Sequence, residues 1–296
     1  MAVPLGALGL DSAVMPPTPF LPHHALVTAP GASPARYLLM LHGILGSGAN
    51  LRSFARRLAQ AHPGWGFVLV DLRMHGLSQG APPPHTVRSA AEDLLRLGAR
   101  LGLSIDGVLG HSFGGKVALE VLRQAGSAAG PLPLEHVVTL DSNPGVREPP
   151  RSGDSAVAII ELLGSLPPTF PSRAAFVDAV VGHGRSRALA QWLAMSTEPL
   201  PGGGVRFALD LGEIRALIGD YFASDLWTTV AAPPGAARVH LVIAERATSY
   251  SAEDTARARE LAQSSERVTV DLLPTDHWIH AEDPEGVLRV LLARIP

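Results

Sequence analysis

The chain has 296 residues, 46% of them hydrophobic and 17% charged, which fits a globular protein and excludes the high-charge signature of disorder. A formal net charge of −3 lacks the basic footprint of a nucleic-acid binder. The absence of cysteine removes disulfides, thiolate catalysis and Cys-ligated zinc or iron–sulfur sites. In chain order, the opening MAVPLGALGL is apolar without a basic residue before Arg36, so it reads as an N-terminal arm rather than a signal peptide. No apolar run approaches the roughly 20 residues that span a bilayer. The expectation is a soluble, intracellular protein.

Tyr37–His42 reads as a buried strand, and Leu51–His62 repeats apolar residues at helical spacing. Gly66–Asp71 is a second strand, followed by a turn-rich stretch with Pro82 to Pro84 and a helix over Val87–Leu101. Gly107–His111, Phe113–Gln124 and Glu135–Asp141 give strand, helix and strand. Strands Val239–Ala244 and Arg267–Leu273 flank a helix at Ala252–Gln263, and Pro284–Ala293 closes the chain as a helix. Continuous apolar strands alternating with helices predict an α/β fold with a parallel sheet covered on both faces. Between about Pro144 and Gly235 the rhythm changes to helical patterns (Ala156–Leu163, Arg173–Val181, Arg187–Met195, Leu211–Phe222) with no convincing strand. The expected organisation is a core formed by residues 1–145 and 236–296, with 146–235 inserted as a helical cap.

Gly110-His111-Ser112-Phe113-Gly114 matches G-x-S-x-G, with an apolar strand ending at it and a helix starting after it. A sharp strand-to-helix turn holds a serine hydroxyl clear of the backbone, so Ser112 is the candidate nucleophile. Acyl transfer also needs two N–H donors converging on the oxyanion. The Phe113 N–H is one candidate, and the Ile44 N–H, in the loop after LMLH, is the other. His42 is expected to brace that loop. His277, in Asp276-His277-Trp278-Ile279-His280 beyond the last strand, is the candidate base. His277 and His280 form no convincing zinc pair without a H-E-x-x-H helix, and His280 is expected to be a packed neighbour.

With LHGILGSGAN (Leu41–Asn50), DLRMHGLS (Asp71–Ser78), GHSFGGKVAL (Gly110–Leu119) and DHWIHAEDP (Asp276–Pro284) in this order, the chain resembles the α/β-hydrolase superfamily. GHSFGGK, LDSNPG and HWIHAEDP together look like the small-acyl esterase and thioesterase branch, with bacterial, plant and mitochondrial members. The resemblance implies a mostly parallel eight-stranded sheet, a helical cap, no cofactor and Ser–His–acid hydrolysis. It carries the nucleophile onto Ser112, the base onto His277 and the oxyanion donors onto Ile44 and Phe113. One departure matters. The usual place for the acid, after the penultimate strand, offers Thr248, with Glu245 early and Asp254 late. Asp141, ending EHVVTLD, is the expected acid, and Glu245 is held in reserve.

The expected activity is hydrolysis of a small-molecule carboxylic ester or thioester. Trp192, Phe207, Tyr221 and Trp227 are candidate linings of an acyl pocket, each equally readable as cap core. A hydrolase-fold small-molecule receptor with slow turnover, and a C–C bond hydrolase or lyase using the same triad, stay open as alternatives. An Asp-nucleophile dehalogenase or epoxide hydrolase is disfavoured by Ser112.

Overall fold

The computed structural model describes residues 19–126 and 132–296, so the N-terminal arm expected over the first ten residues lies outside it. The core opens with β1 (His24–Val27), β2 (Arg36–Leu41), α1 (Arg52–Ala61), β3 (Trp65–Val70), α2 (Val87–Leu101), β4 (Ile105–His111), α3 (Phe113–Ala125) and β5 (His136–Leu140). There follow α4 (Ala156–Ser165), α5 (Arg173–Gly182), α6 (Arg187–Leu193), β6 (Thr197–Pro199), β7 (Val205–Phe207), α7 (Leu211–Ala223) and α8 (Trp227–Ala231). The core then resumes as β8 (Arg238–Ala244), α9 (Ala252–Ser264), β9 (Val268–Leu273), α10 (Ile279–Glu282) and α11 (Pro284–Arg294).

The main sheet has seven strands among the described residues, in the order β1-β3-β2-β4-β5-β8-β9, where the resemblance implied eight. Only β1 runs antiparallel to its neighbour. It escapes sequence reading because HALV is only four residues long, with His24 and Leu26 exposed and Val27 buried, too short a pattern to read. The inner strands follow the period of two that sends alternate side chains to opposite faces. Leu39 and Leu41 of β2 join Val68 and Val70 of β3 in the cluster that also holds Leu94 of α2 and Val117 of α3. Leu38 and Met40 join Phe67 and Leu69 in the opposite cluster, closed by Phe54 of α1 and Leu291 of α11.

The region between β5 and β8 is mainly helical, but it also contains the antiparallel pair β6–β7, against the strandless expectation. Three-residue strands around Gly202, Gly203 and Gly204 are below the length at which alternation is readable. Helix starts here follow local chemistry: Ser155, Ser172 and Ser186 each accept a hydrogen bond from the backbone N–H three residues on. Among the described residues no helix is long and apolar enough to cross a membrane.

Candidate active site

Parallel strands present their C-terminal ends along one edge of the sheet. From β2 the neighbouring strands run to β3 on one side and to β4 on the other, and such a switch point opens a crevice. The loop after β2 holds Ile44, and the turn after β4 holds Ser112. Leu41 is paired with Gly110 and His111 with Leu140, which sets these ends side by side.

Ser112 has φ 51° and ψ −117°, a strained conformation for a non-glycine residue. The strain costs about 1–3 kcal/mol. The fully buried neighbours Phe113 and Leu140 offset it, at roughly 1.5–3 kcal/mol per side chain, and the Ser112 N–H donates to the Leu140 carbonyl at 3.0 Å. The flanking glycines are steric necessities. A Cβ on Gly110 would stand 2.0 Å from the Gly114 carbonyl oxygen, and one on Gly114 would stand 2.6 Å from that of His42.

His277 reaches this turn from the loop after β9. Its Nε2 lies 2.9 Å from Ser112 Oγ, and its Nδ1 lies 2.6 Å from Asp141 Oδ2. With Nδ1–H donated to the carboxylate, Nε2 is left to accept the serine proton. The His277 carbonyl accepts from His111 Nε2 at 2.8 Å, which fixes the loop to β4. Asp141 is fully buried at φ 46°, directly after β5, and its N–H donates to Val242 at 2.8 Å.

The Asp141 carboxylate has two further donors. Ser249 Oγ donates to Oδ2 at 2.6 Å and the Ala244 N–H to Oδ1 at 3.2 Å. Ser249 Oγ also lies 3.2 Å from His277 Nδ1. Thus the loop after β8 delivers a hydroxyl where an acid is usual, from Ser249 rather than its exposed neighbour Thr248. Sequence reasoning missed Ser249, since an uncharged residue in a TSYS stretch carries no signal. Glu245 is exposed, and Asp254 is engaged with Asn143 at 2.8 Å and with Ser251 at the start of α9. Neither is bonded to His277.

The loop after β2 is braced by two histidines. The Leu72 N–H donates to His42 Nε2 at 3.0 Å, while His42 Nδ1–H donates to Gly43 at 2.7 Å. The Leu45 N–H donates to His75 Nε2 at 3.1 Å, and His75 Nδ1–H donates to Arg73 at 2.9 Å. These patterns require neutral rings. Burial supplies the cause, lowering His42 and pushing His75 down to about 3. His75 is the second residue missed in the sequence; nothing in DLRMHG announces that its ring returns to this loop. Among the described residues the Ile44 and Phe113 N–H groups donate to no acceptor, whereas those of Leu45 and Gly46 are occupied.

Ser112 and His277 open into a cleft of about 280 Å³ walled by Ile44, Ile159, Leu189, Trp192 and Trp278, with Asp154 and Asp276 also on its lining. Of the four candidate lining residues, Trp192 borders this cleft. Phe207, Tyr221 and Trp227 do not line the cleft. Phe207 stacks on Phe176 at 5.9 Å, Tyr221 is buried beside Phe113, and Trp227 is buried with the Arg257 guanidinium 4.7 Å above its ring. Aromatic composition alone could not separate cleft lining from packing. His280 packs edge-on against His111 at 4.6 Å, and burial holds it near 4. Among the described residues no group of three or more His, Asp or Glu is placed to hold a metal ion.

A family model described as the alpha/beta hydrolase fold matches residues 37–192. The chain is 32% identical over 123 residues to a Xenopus tropicalis protein named sn-1-specific diacylglycerol lipase ABHD11, an alignment covering 40% of this chain and 35% of that protein. It is 26% identical over 254 residues to Esterase YbfF of Escherichia coli (strain K12), covering 86% of this chain and 91% of the relative. Among solved structures, a marine microorganism esterase superposes with a TM-score of 0.74 at 22% identity, over 93% of this chain and 99% of the other.

Proposed function

The chain belongs to the alpha/beta-hydrolase fold family, and from that premise we propose that it is a serine hydrolase of carboxylic esters or thioesters. The carrying observation is the continuous hydrogen-bonded line Ser112–His277–Asp141, with the serine on a strained strand-to-helix turn. Relatives named as esterases and a lipase support an ester carbonyl as the target.

In this reading Ser112 Oγ attacks the acyl carbonyl while His277 Nε2 takes its proton. Negative charge developing on the carbonyl oxygen is met by the Ile44 and Phe113 N–H groups, which have no internal acceptor to release first. A donor of this kind is worth roughly 10²–10³ in rate. Asp141 keeps the proton on Nδ1 and stabilises the imidazolium. His277 returns the proton to the leaving alcohol or thiol, and water, deprotonated by the same nitrogen, resolves the acyl-enzyme. Residues 146–235 act as a cap over the core, with Ile159, Leu189 and Trp192 providing the apolar wall of the cleft.

A fluorophosphonate probe should add one label, on Ser112, and Ser112→Ala should lose both the label and turnover of p-nitrophenyl esters and thioesters. Labelling that persists in Ser112→Ala would refute the assignment.

A further inference from the structure

A cavity larger than the Ser112 cleft, about 480 Å³, lies on the other side of α4. That volume falls within the roughly 300–1,000 Å³ typical of small-molecule sites. Helical periodicity builds it. On α4, Val157, Ile160 and Glu161 face this groove, while Ala156 and Ile159 face the cleft. On α7, Arg215, Ile218, Gly219 and Phe222 form the opposing stripe at i, i+3, i+4 and i+7. The segment Val146–Arg151 closes one side, and Val146 is left 62% exposed at the rim.

Two features suit a ligand with an apolar tail and one negative charge. The first is the charge balance. Arg147, Arg151 and Arg215 line the groove against Glu148 and Glu161, a surplus of one positive charge. Arg151 is paired with Glu161 at 3.3 Å, and Arg147 Nη1 donates to the carbonyls of Thr248 and Ser249 at 3.2 and 3.0 Å. Arg215 has no carboxylate partner among the described residues. Its guanidinium lies over Gly164, where a Cβ would approach Nη2 to 2.7 Å.

The second feature is Gly219. It sits inside α7, where glycine is the poorest helix former after proline. A Cβ there would meet nothing within 4 Å, so no neighbour requires the glycine. What its missing side chain leaves is open groove between Arg215 and Phe222.

We propose that the groove between α4 and α7 binds an aliphatic carboxylate, its head on Arg215 and its tail along Ile160, Ile218 and Phe222, at a site separate from the Ser112 cleft. Guanidinium and carboxylate match in charge and in planar, forked geometry, and the floor removes the chain from water.

The test is calorimetric titration with decanoate below its micelle-forming concentration. One site is expected, retained after Ser112 is blocked with a fluorophosphonate. Arg215→Glu should weaken binding at least tenfold, Gly219→Leu should abolish it by filling the groove, and decanol should bind at least tenfold more weakly than decanoate. Both substitutions are at exposed positions, and thermal melts check their folding. No binding, or binding indifferent to both substitutions, overturns the proposal. Loss of binding on blocking Ser112 places the carboxylate in the cleft instead. Decyl phosphate binding at least tenfold more tightly than decanoate overturns the carboxylate assignment in favour of a phosphate head, and dimerisation abolished by Gly219→Leu in sedimentation overturns it in favour of a second copy. If the probe leaves Ser112 unlabelled, the hydrolase reading fails while the titrations on the variants still judge the groove.

Discussion

At the scale of single residues, the site contrasts a charged partner with a neutral one on the same imidazole. Asp141 is buried, and its Oδ2 is shared between His277 Nδ1 and Ser249 Oγ. If the carboxylate fixes the tautomer, Asp141→Asn keeps the shape but offers an amide in its place. The expected loss in kcat is roughly 10⁴-fold. Ser249→Ala removes one hydrogen bond to a charged acceptor, worth about 1.5–3 kcal/mol. It leaves the Ala244 N–H and His277 as partners, so about tenfold is expected. Glu245→Gln, at an exposed position, should leave kcat near wild type. Steady-state kinetics on the three variants, with melts to confirm folding, check the order. An inactive Glu245→Gln beside a near-normal Asp141→Asn would reverse it. Asp141 was readable as a candidate because it is a carboxylate at a strand end while the usual position offers Thr248. Ser249 was not, because the value of a hydroxyl depends on what the fold puts within 3 Å of it.

At the scale of elements, Lys116 joins the helix that follows Ser112 to the region between β5 and β8. It is fully buried on α3, and its Nζ donates to the carbonyls of Gly145, Tyr221 and Ser224 at 2.9, 2.7 and 3.0 Å. The ammonium also lies 4.4 Å from the Tyr221 ring centroid. All three donors are therefore spent on the segment that follows β5 and on the C-terminal end of α7. Lys116→Met preserves much of the stem but leaves those carbonyls without this partner. At about 1–3 kcal/mol per unsatisfied group, a loss of roughly 3 kcal/mol or more is expected in urea unfolding. Amide hydrogen exchange should rise in α7 and α8 before it rises in the central strands. A stability within 0.5 kcal/mol of wild type, about the limit for an ordinary surface change, would remove the linking role. In the sequence Lys116 reads only as part of GHSFGGK; its acceptors are about 29 to 108 positions away and are backbone atoms without residue signature.

At the scale of the molecule, burial pushes six histidines toward the neutral form. Burial lowers His42, His111 and His136, takes His75 and His240 to about 3, and takes His280 to about 4. His136 and His240 stack at 5.5 Å on adjacent strands β5 and β8, with His240 Nδ1 bonded to Thr269 Oγ1. Below pH 6.5 the unfolded chain binds protons that the folded chain refuses. Stability is therefore full above the unfolded value and falls with pH, by about 1.4 kcal/mol per unit for each such histidine until its folded pKa is reached. Thermal melts should lose ground steeply between pH 6.5 and 5, and His240→Gln should reduce the slope by about one proton. A flat profile over that window would contradict the linkage. The sequence by itself determined the α/β class, the chain order of the six parallel strands from β2 onward with most of the helices between them, and the candidates Ser112, Asp141 and His277. Those rest on hydrophobic period and local turn chemistry, which neighbouring residues carry. Tertiary structure alone placed Ser249 beside Asp141 and His277, brought His75 to the loop after β2, packed Phe207, Tyr221 and Trp227 away from the cleft, and set Gly219 on the lining of a separate cavity. Each of these depends on which side chains long-range packing brings together, and a local pattern holds no record of that.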